Sequence, residues 1–314
     1  MEIRSLREEE LETWVDHCVE VFQWQDSQAA KDYFSRHFYS DPWRNLSTIF
    51  VAMDGDTIAS SVRLFHREIY LLGATVSMGG IGEVSTKKAY RGQGLNTQLL
   101  NRALEEMDAR DQAVSWLGTG IHDYYRRLGY EVAPARLRYF RPNRELAELP
   151  GDLTLRPVDM ARDADTLATL YRAYNRERNG PLVRDEPLYW RRWMEKEMLG
   201  GQLLQTQEGQ AVAYVDARLD GDLLDIYEFA AWPGDESVFD LIASYLALQV
   251  GAAEVRVPAQ VKSDLVALRE VDYSGNMLRL NRPVRGPKGA AATTAELIGL
   301  LERQGFLWWR DDSF

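Results

Sequence analysis

The chain has 314 residues, 45% of them hydrophobic, and a net charge of -11. Its pI near 5.0 argues against a general nucleic-acid binder, which needs a basic face. No apolar stretch approaches the roughly 20 residues that span a bilayer, so no membrane partner is expected.

A chain of this length builds more than one core, so two domains are expected. Cys18 is the single cysteine, which excludes an internal disulfide framework and suits a reducing cytoplasm. The start, "MEIRSLREEELETW", is acidic where a signal peptide would be apolar. The expected place is the cytoplasm.

Apolar residues at Leu11, Trp14, Val15, Cys18, Val19 and Phe22 have helical spacing, and a second helix is read over 27–38. "STIFVAMDGDTIASSVRLF" is a hairpin turning at Asp54, Gly55 and Asp56. Residues 74–86 form a further strand, where Gly79, Gly80 and Gly82 predict a bulge. Leu95, Leu99, Leu100, Ala103, Leu104 and Met107 make one helix face. "AVSWLGTG" is a buried strand, "HDYYRRLGY" a short helix stopped by Gly129, and "ARLRYFRP" the last strand of the first set.

Residues 141–152 read as a linker, after which the order of elements repeats. "LTLRPV" is a strand. "ADTLATLYRAYNRER" and "DEPLYWRRWMEKEM" are helices. A hairpin turns at Glu208 and Gly209, and the strand "LLDIYEFAAW" follows. "ESVFDLIASYLALQV" is a helix, and "AEVRVPA" and "NMLRLNRP" are strands. The expected fold class is α/β (α+β), two units that each carry a mixed sheet flanked by helices. The boundaries are 1–150, 151–284 and a tail, 285–314.

"KKAYRGQGLNTQLL" collects cations and glycines ahead of a helix. A helix N-terminus has unpaired N–H groups and a partial positive charge, which together attract phosphate. Gly92 and Gly94 let a pyrophosphate approach the backbone, and Arg91, Lys87 and Lys88 add charge. Taken alone, an Arg-Gly-x-Gly is more often a solvated turn. A Walker loop is excluded because no Gly-Lys-Ser/Thr is present. A dinucleotide fingerprint fits poorly because Thr97 stands where its third glycine belongs.

"GEVSTKKAYRGQGLNTQLL", followed by a strand and "YYRRLGYE", resembles the GNAT acetyltransferases. Their loop pattern is met at Arg91 and Gly94. It departs at Asn96, where the family has Gly or Ala and where an asparagine brings a side chain toward the pyrophosphate. "YNRERNGPLVRDEPLYW" looks like the second domain of tandem-GNAT proteins of the enhanced intracellular survival type, a likeness covering residues 1 to 283. Such proteins carry a third, sterol-carrier-like domain, expected here to be missing or a remnant. "FAAWPGDESVF" has no Arg-Gly-x-Gly, so the second half is expected not to bind the cofactor.

The resemblance implies an N-acetyltransferase in which an amine attacks acetyl-CoA directly. It implies two tandem GNAT-like domains with mostly antiparallel sheets. Cofactor contacts fall to Val84, Ser85, Thr86, Arg91, Gly92, Gln93, Gly94, Leu95, Asn96 and Tyr125. Tyr125 would protonate the leaving thiolate, and a main-chain N–H near Val84 would hold the oxyanion. The base is Glu83 or the terminal carboxylate at Phe314. The acceptor is a small-molecule amine or a lysine side chain. Phe22, Trp24, Tyr33 and Phe34, on the two helices that border the acceptor site in this fold, would line that site or belong to the core. Relatives form rings, which makes a homo-oligomer one expectation, and loss of the third domain's contacts leaves a monomer as the other. The other reading is a non-catalytic acyl-CoA-binding sensor, and a longer acyl group would need room near Gly118 and Gly120. His17, His37, His66 and His122 lack metal-ligand spacing, so no metal is expected.

Overall fold

The structure, a computed structural model, describes residues 1–312. The first half runs β1 (Glu2–Ser5), α1 (Leu11–Phe22), α2 (Ser27–Tyr39), β2 (Ile49–Asp54), β3 (Thr57–Leu71) and β4 (Ala74–Thr86). It continues as α3 (Leu95–Ala109), β5 (Val114–Gly118), α4 (His122–Arg126), β6 (Glu131–Val132) and β7 (Ala135–Phe140). The second half has β8 (Leu153–Pro157), α5 (Met160–Asn175), a π-turn over Tyr189–Met194, α6 (Glu195–Glu197), β9 (Gly201–Thr206), β10 (Ala211–Asp220) and β11 (Leu223–Ala231). Then come α7 (Val238–Val250), β12 (Glu254–Pro258), β13 (Ala267–Tyr273), β14 (Asn276–Leu280), the ribbon β15 (Val284–Gly286) and β16 (Gly289–Ala291), and α8 (Thr294–Gln304).

Two seven-stranded sheets result, in the orders β1-β2-β3-β4-β5-β14-β6 and β13-β7-β12-β11-β10-β9-β8. Within them only β4–β5 and β11–β12 pair in parallel. This is the expected fold class, two units that each carry a mixed, mostly antiparallel sheet flanked by helices.

Two strands change places relative to the sequence reading. "ARLRYFRP", taken as the last strand of the first set, supplies β7, which lies between β12 and β13 of the second sheet. "NMLRLNRP", taken as the last of the second set, supplies β14, which lies between β5 and β6 of the first. Both were identified as strands, but pairing partners are a tertiary choice that local pattern does not encode. The exchange ties the halves together, because neither sheet is complete without a strand from beyond the linker.

The first sheet is covered on both faces. Ile49, Val51 and Met53 turn toward α1 and α2, whereas Phe50 and Ala52 turn toward α3. That explains why "IFVAM" is apolar throughout rather than alternating. Leu117 shares the α3 side, and Trp116 on the opposite face packs with Phe306 of the tail.

The bulge lies beyond the glycines. Gly79, Gly80 and Gly82 sit in regular register against His66, Phe65 and Arg63. Ser85 pairs with Ser61, so Glu83 and Val84 together face Val62. Glu83 takes the strain with a positive φ of 51°. Gly79 serves packing instead, since a Cβ there would stand 2.6 Å from the Met107 side chain.

Candidate active site

β4 pairs with β5 from Met78–Val114 to Ile81–Leu117 and no further. β4 then bulges and continues to Thr86, while β5 ends at Gly118. The strands therefore splay, and main-chain groups of β4 beyond Ile81 face a gap on that side. α3 begins at the mouth of the gap.

The loop before α3 is built for close approach. Gly92 and Gly94 have φ of 79° and 75°, the left-handed region that favours glycine. A Cβ on either would meet nothing within 4 Å, so both face open space. Gly94 is the N-cap of α3 and brings no side-chain cap, leaving the first N–H groups of the helix for a ligand. The Nε of Arg91 donates to the Thr86 carbonyl at 3.3 Å, fixing the guanidinium beside the loop. Lys87 is committed to Glu20 at 2.7 Å.

Splay and loop enclose a cavity of about 470 Å³. Among the residues expected to hold the cofactor, Val84, Ser85, Thr86, Arg91, Gly92, Gly94, Leu95, Asn96 and Tyr125 line it. Gln93 is exposed and Glu83 lies elsewhere. Val21, Tyr90, Thr97, Ile121 and Tyr124 join the wall without having been expected to hold the cofactor. Of these, Thr97 Oγ1 and Tyr124 Oη approach to 3.2 Å and close one side.

Asn96 does not obstruct the cavity as its departure from the loop pattern implied. Its Oδ1 accepts from Ser60 Oγ at 2.7 Å, which draws the side chain toward β3. Ser60 Oγ also lies 2.9 Å from Thr86 Oγ1, from which it can accept, and 2.8 Å from the Ser85 carbonyl oxygen. Beneath them His17 Nδ1 donates to the Ile58 carbonyl at 3.0 Å, so its Nε2 accepts from Ser85 Oγ at 2.9 Å. Burial, with the Lys87 charge adding to it, lowers the His17 pKa to about 4 and keeps the ring neutral. His17 is thus a strut under β4.

Tyr125 is 5% exposed, and its ring meets Tyr124 at 5.0 Å and Tyr130 at 6.0 Å, both edge-on. Burial raises its phenol pKa, so the hydroxyl at this cavity wall stays protonated at neutral pH.

Glu83 turns to the α1–α2 face. Its side chain is 6% exposed, and Oε1 lies 3.4 Å from Arg63 Nη1. Oε2 is buried with no hydrogen-bond partner among the described residues. Burial pushes this carboxyl up, against the opposing pull of Arg63 and His37. Arg63, itself buried, is also held by Asp41 Oδ2 at 3.1 Å and the His37 carbonyl at 3.3 Å. The sequence reading missed Arg63 and Asp41. The available signal was an arginine within "SSVRLF", a run buried on both faces.

Tyr33 packs against His37 with ring centres 3.9 Å apart, and Trp24 against Tyr33 at 4.9 Å, both pairs tilted. Phe22 and Trp24 are substantially exposed, whereas Phe34 is core. His122 Nε2 donates to the Ser274 carbonyl at 2.7 Å, tying α4 to the approach of β14. Phe314 lies outside the described residues. Among the described residues no cluster of three His, Cys, Asp or Glu could hold a metal, and no helix is long and apolar enough to cross a membrane.

Residues 2–133 match the family model described as Acetyltransferase (GNAT) domain. The N-terminal half is a GNAT acetyltransferase domain. The chain accordingly carries an acyltransferase domain of that class. No curated protein matches it in sequence. Among solved structures, a conserved protein of unknown function from Enterococcus faecalis V583 is 18% identical, with TM-score 0.69 over 89% of this chain and 72% of its own. A GCN5-related N-acetyltransferase from Kribbella flavida is 20% identical, with TM-score 0.67 over 89% and 70%. Eis1 from Mycobacterium abscessus is 17% identical, with TM-score 0.63 over 90% and 74%. These likenesses extend the GNAT domain's fold across the second half.

Proposed function

We propose that the chain is an N-acetyltransferase that passes acetyl from acetyl-CoA to a primary amine by direct attack. In this reading residues 1–150 do the chemistry and residues 151–284 shape the acceptor side. The observation that carries it is the cavity at the splay, where an uncapped helix N-terminus and a protonated tyrosine line one space.

The Gly92–Gly94 loop and the α3 N-terminus hold the pyrophosphate, with Arg91 adding charge. Val84 and Thr86 pair with the pantetheine arm along the free side of β4. The Val84 N–H, turned by the bulge, stabilises the oxyanion that forms when the amine nitrogen bonds to the thioester carbon. Glu83, with its unpartnered Oε2, takes the proton the amine loses, directly or through water. As the C–S bond breaks, the sulfur leaves with its electron pair and receives the Tyr125 proton.

A Tyr125→Phe variant tests this by thiol release and calorimetry. Turnover is expected to fall about 10²-fold or more while acetyl-CoA affinity is kept. Unchanged turnover would remove Tyr125 from the chemistry. Binding with no turnover in the wild type, across an amine library, would favour the acyl-CoA sensor.

A further inference from the structure

A second cavity, of about 390 Å³, flanks the same end of β5. It is lined by residues 118–120, by Asn276 and by the rings of Trp116, Tyr273 and Trp308. Trp116 and Leu117 point to opposite faces, so this cavity lies across β5 from α3. Residues 118–120 run directly into Ile121, which lines the first cavity.

Three features say what it would hold. Tyr273 and Trp308 stack at 4.6 Å and 14°, making a flat wall suited to a planar group. The Nε1–H of Trp116 donates to Asn276 Oδ1 at 3.2 Å, which fixes the amide so that Nδ2 is the remaining donor. Asn276 is only 4% exposed, and its Nδ2 has no acceptor among the described residues. A buried donor of this kind calls for an acceptor atom from a ligand.

Glycine keeps the space open. Neither Gly118 nor Gly120 has a positive φ, so the backbone does not demand glycine at either. A Cβ on Gly118 would meet only the Gly275 carbonyl, at 3.9 Å, and one on Gly120 nothing within 4 Å.

The carboxyl at this cavity is already engaged. Asp312 Oδ1 accepts from Arg184 at 2.8 Å and Oδ2 from the Leu182 N–H at 3.4 Å. Among the described residues that line the cavity, a polyamine would find no free carboxylate for its second charge.

We propose that this cavity receives the non-reacting end of the acceptor, and that the acceptor is a primary amine on a short arm joined to a flat ring bearing an oxygen. The ring lies on the Tyr273–Trp308 wall, the oxygen accepts from Asn276 Nδ2, and the amine reaches past residues 118–120 to the splay. This rests on the N-acetyltransferase reading, and the bonds made and broken are those given above.

The test is calorimetric titration of tyramine, 2-phenylethylamine, n-hexylamine and spermidine into wild type and Gly118→Leu, with acetyl-CoA titrated separately into both. Tyramine should bind best, about tenfold or more above hexylamine and spermidine. Gly118→Leu should lose about tenfold for tyramine and keep its acetyl-CoA affinity. Gly120→Val repeats the test should Gly118→Leu fail to fold. Equal binding of all four amines, or tightest binding of spermidine, would overturn the proposal. So would unchanged tyramine affinity in Gly118→Leu alongside weakened octanoyl-CoA binding, which would give the cavity to an acyl chain. Failure of acetyl-CoA to bind the wild type would strike the transferase reading itself, whereas the amine titrations judge the cavity separately.

Discussion

The two halves share a plan and differ at one place. β4 with β5 and β11 with β12 are the parallel pairs of their sheets, each followed or bridged by a helix, α3 or α7. In the first half the space beyond the pairing is a cavity under an uncapped, glycine-led helix. In the second the residues before α7 are acidic, and the loop consumes its own donors. The Gly234 N–H donates to Glu236 Oε2 at 3.0 Å, and the Val238 N–H to the Asp235 carbonyl at 3.0 Å. A phosphate would meet carboxylates there rather than free N–H groups.

Beyond its pairing with β12, β11 carries Glu228, fully buried and 2.7 Å from Arg184. Arg184 also holds Asp312 of the tail, at 2.8 Å. One guanidinium thus faces two buried carboxylates, and burial pushes Glu228 up to about 6 and Asp312 upward as well. The same architecture is an open site in one copy and a closed anchor for the tail in the other.

The largest expected effect breaks the closed copy. Arg184→Leu leaves Glu228 and Asp312 buried without their cation and should cost roughly 3–5 kcal/mol. Thermal melting checks it, and an unchanged Tm would deny the cluster its structural role. Folded variant protein in the cold should still bind acetyl-CoA, because the cluster lies in the other half.

Glu83→Gln sharpens the open copy. Turnover should fall about 10²-fold. Because burial raises this carboxyl, the rising limb of kcat/KM should lie above the ordinary carboxylate range and disappear in the variant. The stability sign runs the other way. A carboxyl whose folded pKa is raised contributes stability that is full at acid pH and lost as pH rises through the folded value. Glu83→Gln should therefore melt no lower than wild type at neutral pH. A marked drop in Tm would make Glu83 structural, not a base.

The glycine loop and the helix after it were legible because their parts are local. Glycines that need a left-handed φ, a cation beside them and a helix pattern directly after lie within one stretch of sequence. Tyr125 was expected only through the resemblance of "YYRRLGYE" to the GNAT acetyltransferases, since local pattern alone gives it a packing role beside Tyr124 and Tyr130. Features made by distant contacts were not. β1 is a short edge strand, and β13 is exposed along its length, so neither shows the apolar alternation that marks a half-buried strand. The bulge was expected at glycines but formed at Glu83, where the splay and the Arg63 contact fix the backbone. Ser60 as the partner of Asn96 and the exchange of β7 with β14 depend on the assembled sheet.

Smaller effects refine the site's support. Ser60→Ala frees the Asn96 side chain and should cost about 1 kcal/mol, with acetyl-CoA binding weakened several-fold as Asn96 swings toward the cavity. Equal affinity in calorimetry would show that the tie is dispensable. His17, buried neutral with a pKa lowered from 6.5 to about 4, contributes stability present above pH 6.5 and lost as pH falls toward 4. A His17→Gln variant should show a shallower loss of Tm across that window, and an identical pH profile would contradict the strut.

The central claim is that the Gly92–Gly94 loop and the α3 N-terminus hold acetyl-CoA. Calorimetric titration of acetyl-CoA into wild type and Gly94→Glu tests it most directly, with circular dichroism confirming that both are folded. Saturable binding by the wild type and none by Gly94→Glu is the predicted result. Equal binding by the two proteins, or none by a folded wild type, would contradict the account.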